Sequence, residues 1–303
     1  MLTLHRVAQR AKLAGGAANR HLHAAASAAP AASTSASMRW AVGGWSFFIA
    51  ENVILSENRD MLKDVLSPMD KEEGDSRYHL LYGTISTLAM ASTGFAYFKR
   101  VRGAAPLQWH PTSAPPALRV GLSFALQGLG LAMFVQAFPK LQMPVGAAKT
   151  EADAPQPNAA ASPPRAWAVR CPFDFTDGRR RAESTEVAYG VERVSRHSGL
   201  WSFGLVCLGE ALVVPSVPQA AWLAMPLLVA FIGGAHTDSR YARGMGGELP
   251  PERAHATSNV PFLAMALGRQ GEGALLKLVD EGKTLNAALA IVAAAMLALR
   301  RGR

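Results

Sequence analysis

Blocks of predominantly apolar residues alternate with polar segments along the chain. The apolar blocks cover residues 40–55, 78–98, 119–138, 199–214, 220–235 and 285–299. An α-helix needs about 20 apolar residues to cross the hydrocarbon core of a bilayer, and the first three blocks are near that length, although the first is short. The pattern predicts an all-α fold, a polytopic integral membrane helix bundle with five or six transmembrane helices.

The fourth and fifth blocks predict a helical hairpin. The turn between them is short and contains Pro215 and Pro218, so the residues before the fourth block and those after the fifth must lie at the same end. Charged and imidazole side chains fill both flanks. They are Arg193, Arg196, His197, His236, Asp238 and Arg240. We predict that they form a ligand-binding face for a phosphate, a haem propionate or a substrate carboxylate.

Two simpler interpretations of these flanks stay open. Arg196 and His197 would anchor a helix end at the lipid head groups, and His236 and Asp238 would form a helix-end cap and an ion pair with Arg240.

Small residues in the third block mark positions where helices would approach closely in lipid. Gly121, Gly128 and Gly130 are the predicted contact positions, because a residue without a side chain lets a neighbouring backbone come near.

The distribution of basic residues orients the predicted spans. If all six blocks cross the membrane, loops 56–77, 139–198 and 236–284 share one side and hold most of the loop Lys and Arg residues. Positive loops stay on the side from which the chain is inserted, which predicts that this side faces the stroma or the matrix.

Composition supports a membrane class. Half of the residues are apolar, 17% are charged, and the formal net charge is +9. Anionic membrane lipid is the predicted partner of this charge, and no nucleic acid is expected, because no basic helix with interleaved aromatic residues is present. Cys171 and Cys207 are predicted to be free thiols.

The N-terminal segment, residues 1–38, contains no Asp or Glu, carries Arg and Lys, and ends in a run of Ala, Ser and Thr. This composition predicts an organelle transit peptide that is cleaved near residues 30–38. We expect a chloroplast membrane, with a mitochondrial membrane as the alternative, since charge alone does not separate the two. An uncleaved, disordered basic tail is the other possibility.

A second polar segment divides the predicted bundle. Residues 144–166 are rich in Ala and Pro without periodicity, which predicts a solvated, disordered linker. Residues 167–181 combine aromatic residues with arginines and are predicted to be an aromatic surface loop, or else a segment that docks at the membrane interface.

Two carboxylates interrupt apolar blocks, Glu51 in the first and Glu210 in the fourth. An isolated carboxylate in lipid is costly unless it is paired, protonated or bound to a metal. We predict that the two face a shared polar cavity, where they either share a proton or hold a metal such as iron, manganese or magnesium.

Several motifs together resemble the NnrU family of membrane proteins, which includes the plant zeta-carotene isomerase. They are Arg193-Val-Ser-Arg196-His197, the helix with Gly204 and Leu208, the proline-broken turn, and Asp238-Ser-Arg240. Phe-Phe-Ile-Ala-Glu-Asn and Tyr-Gly-Thr-Ile-Ser-Thr-Leu-Ala-Met, within residues 47–90, are similar to the first two helices of that family. The resemblance covers residues 45–270 and implies an NnrU-like membrane domain over residues 39–303.

The resemblance implies a haem b held by two histidines in the isomerase. In this chain those two positions fall on Glu51, or Asn52 if the alignment slips by one, and on Glu210. Carboxylates are not among the usual axial ligands of haem iron, so the haem and the activity do not carry over directly. The expected function is therefore a non-enzymatic membrane factor for pigment or tetrapyrrole handling or for complex assembly.

Two enzymatic alternatives remain. One is an isomerase of the zeta-carotene isomerase type that acts on a polyene or isoprenoid in the membrane, with a carotenoid or other pigment as its ligand. The other is a methyltransferase of the kind that uses an Arg-His-Pro element; it is weakened because the Glu-Glu-x-x-Leu run expected after the hairpin is replaced here by Asp238-Ser-Arg-Tyr-Ala.

Overall fold

The computed structural model describes residues 34–103, 116–137, 145–149, 165–169 and 186–301. This part of the chain is predominantly α-helical, as the apolar pattern predicts, with one short pair of strands. The predicted transit peptide up to residue 33, most of the predicted linker and Cys171 lie outside the described residues.

The described helices are numbered α1 to α10 in chain order. They are α1 Thr34–Glu57, α2 Arg59–Leu66, α3 Lys71–Ala96, α4 Pro116–Ala137, α5 Ser198–Ala211, α6 Val217–Ala242, α7 Pro251–Ala256, α8 Leu263–Ala266, α9 Ala274–Glu281 and α10 Thr284–Arg301. A π-helix, Tyr97–Val101, continues α3, and a 3-10 helix, Gly190–Arg193, precedes α5.

Six of these helices form a row in which neighbours pack side by side. In spatial order the row runs α3, α1, α6, α5, α4 and α10. Each of the six contains most of one predicted apolar block. At one end of the row the Ser37 hydroxyl donates to the Arg100 carbonyl at 2.9 Å, and Gln219 Nε2 donates to the Arg102 carbonyl at 2.9 Å. We call this the far end; it gathers the start of α1, the end of the α3 segment and the start of α6.

Helix α3 begins well before the predicted block at residue 78. The Asp70 carboxylate accepts hydrogen bonds from the backbone N–H groups of Glu72 and Glu73, at 2.9 and 3.1 Å. This N-cap satisfies donors that a helix start otherwise leaves free, so the helix extends into a polar segment that apolarity alone does not mark.

Two helices, α4 over residues 116–136 and α6, are long and apolar enough to cross a membrane. A third span is obtained if α9 and α10, which meet at a bend of 93°, form one broken span. The prediction of five or six spans is therefore confirmed only in part. Helix α5 has 14 residues, and at 1.5 Å per residue it extends about 21 Å, less than the roughly 30 Å of a hydrocarbon core. Helices α1 and α3 are long enough, but polar side chains lower their apolarity.

The main core lies between α4, α5 and α6. Met133, Trp201, Leu205 and Ala230 are buried there together with Val194. A second buried cluster surrounds Cys207, Ala211, Val214, Ala220 and Leu223 at the turn of the α5–α6 hairpin. Cys207 is a free cysteine, as predicted.

The three predicted contact glycines on α4 differ in how closely a neighbouring helix approaches them. A Cβ added at Gly130 would lie 2.8 Å from the Ser202 carbonyl oxygen, so α4 and α5 touch at this position. At Gly128 an added Cβ would make an ordinary contact of 3.9 Å with Ala294. At Gly121 it would meet no atom within 4 Å of the described chain, so that prediction was wrong.

The predicted linker has regular structure at both of its ends. Strand β1, Val145–Lys149, pairs antiparallel with β2, Arg165–Val169, and Ala147 lies opposite Trp167. The expectation of no regular structure was wrong here because a strand ladder satisfies backbone groups whatever the side-chain periodicity. The residues between the strands, and residues 170–181 of the predicted aromatic loop, lie outside the described part.

Candidate polar site at one end of the helix row

The end of α1, the start of α5 and the end of α6 meet at one end of the row, which we call the polar end. Ser56 Oγ lies 2.7 Å from His236 Nε2, and Arg243 forms a two-pronged ion pair with Glu57 at 2.5 and 2.8 Å. His197, just before α5, lies 2.8 Å from Asp238 near the end of α6, so the structure places the two flanks of the α5–α6 hairpin together, as the proline-broken turn predicts. Their role in binding a ligand stays a prediction.

Arg193 is almost fully buried, with 1% of its side chain exposed. Its Nε and Nη2 donate to the two carboxylate oxygens of Glu281 at 2.8 and 2.6 Å, and the backbone N–H of Gly190 donates to the same carboxylate at 2.6 Å. The Glu281 carboxylate raises the pKa of Arg193. This pair fastens the 3-10 helix to α9, and sequence reasoning missed Glu281 because it lies far along the chain.

Arg196 and His197 share one carboxylate, that of Asp238 on α6. Arg196 Nη1 lies 3.3 Å from Asp238 Oδ2, and His197 Nε2 lies 2.8 Å from Asp238 Oδ1. An ionised carboxylate only accepts hydrogen bonds, so His197 Nε2 is the donor. Arg196 Nη2 also donates to the carbonyls of Thr257 and Ala254, at 2.5 and 3.2 Å. Burial lowers the pKa of Arg196, and the Asp238 charge acts against that shift.

His236 and Arg240 lie one turn apart near the end of α6. Ser56 donates its hydroxyl hydrogen to the Asn52 carbonyl at 2.6 Å, which makes His236 Nε2 the donor to Ser56 Oγ. The Asp238 carboxylate pairs with Arg196 and His197 rather than with Arg240, so the simpler interpretation of an Asp238–Arg240 pair was wrong. Among the described residues, no carboxylate lies within ion-pair distance of Arg240.

Glu51 lies in a polar cluster between α1 and α3, and only 7% of it is exposed. Asn52 Nδ2 donates to one carboxylate oxygen, and Ser86 Oγ donates to the other at 3.4 Å. Tyr82 donates its hydroxyl to Asn52 Oδ1 at 2.6 Å. Sequence reasoning did not assign Tyr82 and Ser86 to this cluster, although their spacing of four residues places both on one face of α3.

The predicted partner of Glu51 was Glu210, which lies half-buried on α5 one turn after the buried Cys207. The shared cavity and its metal stay a prediction. In the described ranges, no group of three or more His, Cys, Asp and Glu side chains is placed to hold a metal ion.

The residues at the two haem-ligand positions of the resembled family do not fit haem. Glu51 and Glu210 supply carboxylates, whereas haem iron in proteins takes His, Cys, Met or Tyr. The Glu51 carboxylate is moreover hydrogen-bonded within its own cluster.

No protein-family model matches this chain, and no curated protein and no solved structure matches it either. The resemblance to the NnrU family rests on the motif residues and stays a prediction.

Proposed function

We propose that the chain is an NnrU-like chloroplast integral membrane protein of non-enzymatic type, which serves pigment or tetrapyrrole handling or the assembly of a complex. One observation carries this proposal: protein groups already engage the polar side chains of the Arg193-Val-Ser-Arg196-His197 motif that carries the resemblance. Glu281 engages Arg193, and Asp238 engages both Arg196 and His197. Side chains used in this way stabilise a scaffold.

Membrane embedding is supported by the outer faces of the row. Large apolar side chains are exposed on all six of its helices. They include Phe47 and Ile54, Leu88 and Phe95, Leu122 and Phe134, Leu200 and Phe203, Leu228 and Phe231, and Ile291 and Leu297. A water-soluble monomer rarely exposes large apolar side chains on every helix of its bundle, whereas lipid covers them favourably.

We extend this to six spans, with the polar end facing the stroma or, in the alternative, the matrix. The short helix α5 would cross a locally thinned bilayer or one in which its polar flanks reach the head groups. Arg240, which has no carboxylate partner among the described residues, is then available at the polar end to contact an anionic lipid head.

The enzymatic alternative is favoured by the Glu51 cluster. The hydrogen bonds that the structure gives the Glu51 carboxylate come from the neutral donors Asn52 and Ser86. A buried carboxylate that is hydrogen-bonded only by neutral groups is costly in its charged form. On this alternative, Glu51 is therefore either protonated or bound to a cation. A metal there would supply the electronic change for an isomerase whose isoprenoid or pigment substrate enters between helices.

Fractionation of the native organelle tests the proposed location. Because the embedded helices hold the protein by apolar contact rather than by charge, we expect it to stay in the membrane pellet after alkaline carbonate extraction. We further expect the mature chain to begin between residue 30 and Ser37, whose hydroxyl bond to Arg100 fixes the start of α1. Recovery in the soluble fraction would overturn membrane embedding, and an N-terminus at Met1 in the pellet would overturn the transit peptide.

A further inference from the structure

An open groove of about 390 Å³ lies between α1 and α3 towards the far end of the row. The residues that line it are Arg39, Trp40, Gly43, Gly44, Phe47 and Ser92. The Ser92 hydroxyl donates to the Ala89 carbonyl at 2.7 Å, so its hydrogen is satisfied within its own helix. Apart from Arg39, the lining residues therefore offer mainly apolar contact.

Two adjacent glycines create this groove. A Cβ added at Gly44 would lie 3.3 Å from Thr93 Cγ2, so α1 and α3 touch there and form the floor. A Cβ added at Gly43 would meet nothing within 4 Å, so the space above that floor stays open. A slot of this form between two helices accommodates a slender apolar chain.

Positive charge lies at one end of the groove, where Arg39 is among the lining residues. Arg39, Lys99, Arg100 and Arg102 are all exposed, and Arg100 Cζ lies 5.9 Å from the centre of the Trp40 ring. Within the described ranges, none of these four cations forms a salt bridge. The groove thus combines an apolar slot with two cations, Arg39 and Arg100, that have no ion-pair partner among the described residues.

We propose that this groove binds an anionic glycerolipid, with one acyl chain over Gly43 and Gly44 and the head group against Arg39 and Arg100. The proposal rests on the membrane embedding proposed above. Charge complementarity selects an anionic head over a zwitterionic one, because each Lys or Arg at the surface attracts anionic lipid by about 1 kcal/mol. Trp40 lies where aromatic residues commonly mark the lipid–water boundary.

Native mass spectrometry of the full mature protein in mild detergent tests the site, with phosphatidylglycerol or phosphatidylcholine added at equal concentration. We expect one phosphatidylglycerol to be retained in preference to phosphatidylcholine. Arg39→Gln should lower the retained phosphatidylglycerol about fivefold, because that is the change in affinity expected when one surface cation is lost. Gly43→Leu, which fills the groove, should abolish retention.

Gly83→Leu is the matched control for the groove, because Gly83 also faces open space and lies on α3 away from the lining residues. It should retain the lipid like the unaltered chain. Equal retention of the two lipids, or equal behaviour of Gly43→Leu and Gly83→Leu, would overturn the site. A protein that fails this test but stays in the alkaline membrane pellet still supports the proposed location.

Discussion

Arg193→Met is expected to destabilise the protein by about 3–5 kcal/mol, because it leaves the Glu281 carboxylate without its buried counter-charge. The double change Arg193→Met with Glu281→Met removes both charges, and we expect it to recover most of that loss. Arg193→Lys keeps the charge but not the two-pronged geometry. Its loss of stability should therefore fall between that of Arg193→Met and that of the double variant. Chemical unfolding of the purified protein in detergent measures each free energy.

Arg77→Met is the control for this series, because Arg77 pairs with Glu73 on the surface with 54% of its side chain exposed. An exposed pair of this kind contributes about 0–1 kcal/mol. If Arg193→Met costs no more than Arg77→Met, the Arg193–Glu281 pair does not hold the fold, and Arg193 is available for the ligand role that the sequence predicts.

Asp238→Ala is expected to cost about 3 kcal/mol, because it removes the acceptor that Arg196 and His197 share and leaves a half-buried guanidinium without its counter-charge. Arg196→Lys should cost about 1–2 kcal/mol, since an ammonium group cannot reach Asp238 and both carbonyls of residues 254 and 257 at once. The same unfolding measurement applies to both variants.

Ser239→Ala, at an exposed neighbour on the same turn of α6, is the control for Asp238, and its effect should stay within about 0.5 kcal/mol. Stability of Asp238→Ala equal to that of Ser239→Ala would mean that the cluster is not structural. It would favour the predicted anion site at Arg196 and His197 instead.

The helices could be predicted well from the sequence because prolines and polar segments separate their apolar blocks clearly. Pro215 and Pro218 mark the turn of the α5–α6 hairpin. Because this turn is short, it was enough to predict that His197 and the end of α6 lie at the same end of the helix row. Helix starts were less accurate, since the Asp70 cap carries α3 into polar residues that hydropathy does not mark.

The partners within the polar site could not be predicted in the same way. The bond between Arg193 and Glu281 joins residues 88 positions apart, and nothing local in either segment indicates it. The prediction that Asp238 lies at the same end as His197 was correct. Whether Asp238 pairs with Arg196 or with Arg240, however, depends on how α6 is rotated about its axis. Helix rotation also decides that Tyr82 and Ser86 reach the Glu51 cluster, and that Gly130 rather than Gly121 meets a neighbour.

The absorption spectrum and metal content of the purified mature protein test the proposed function most directly. If the chain is a scaffold without the haem of the resembled isomerase, its spectrum should show no Soret band. Its content of iron, manganese and magnesium should equal that of Glu51→Gln and Glu210→Gln variants purified in parallel. A haem b spectrum in stoichiometric amount, or a bound metal that either variant loses, would contradict the non-enzymatic proposal and establish the Glu51 region as a cofactor site.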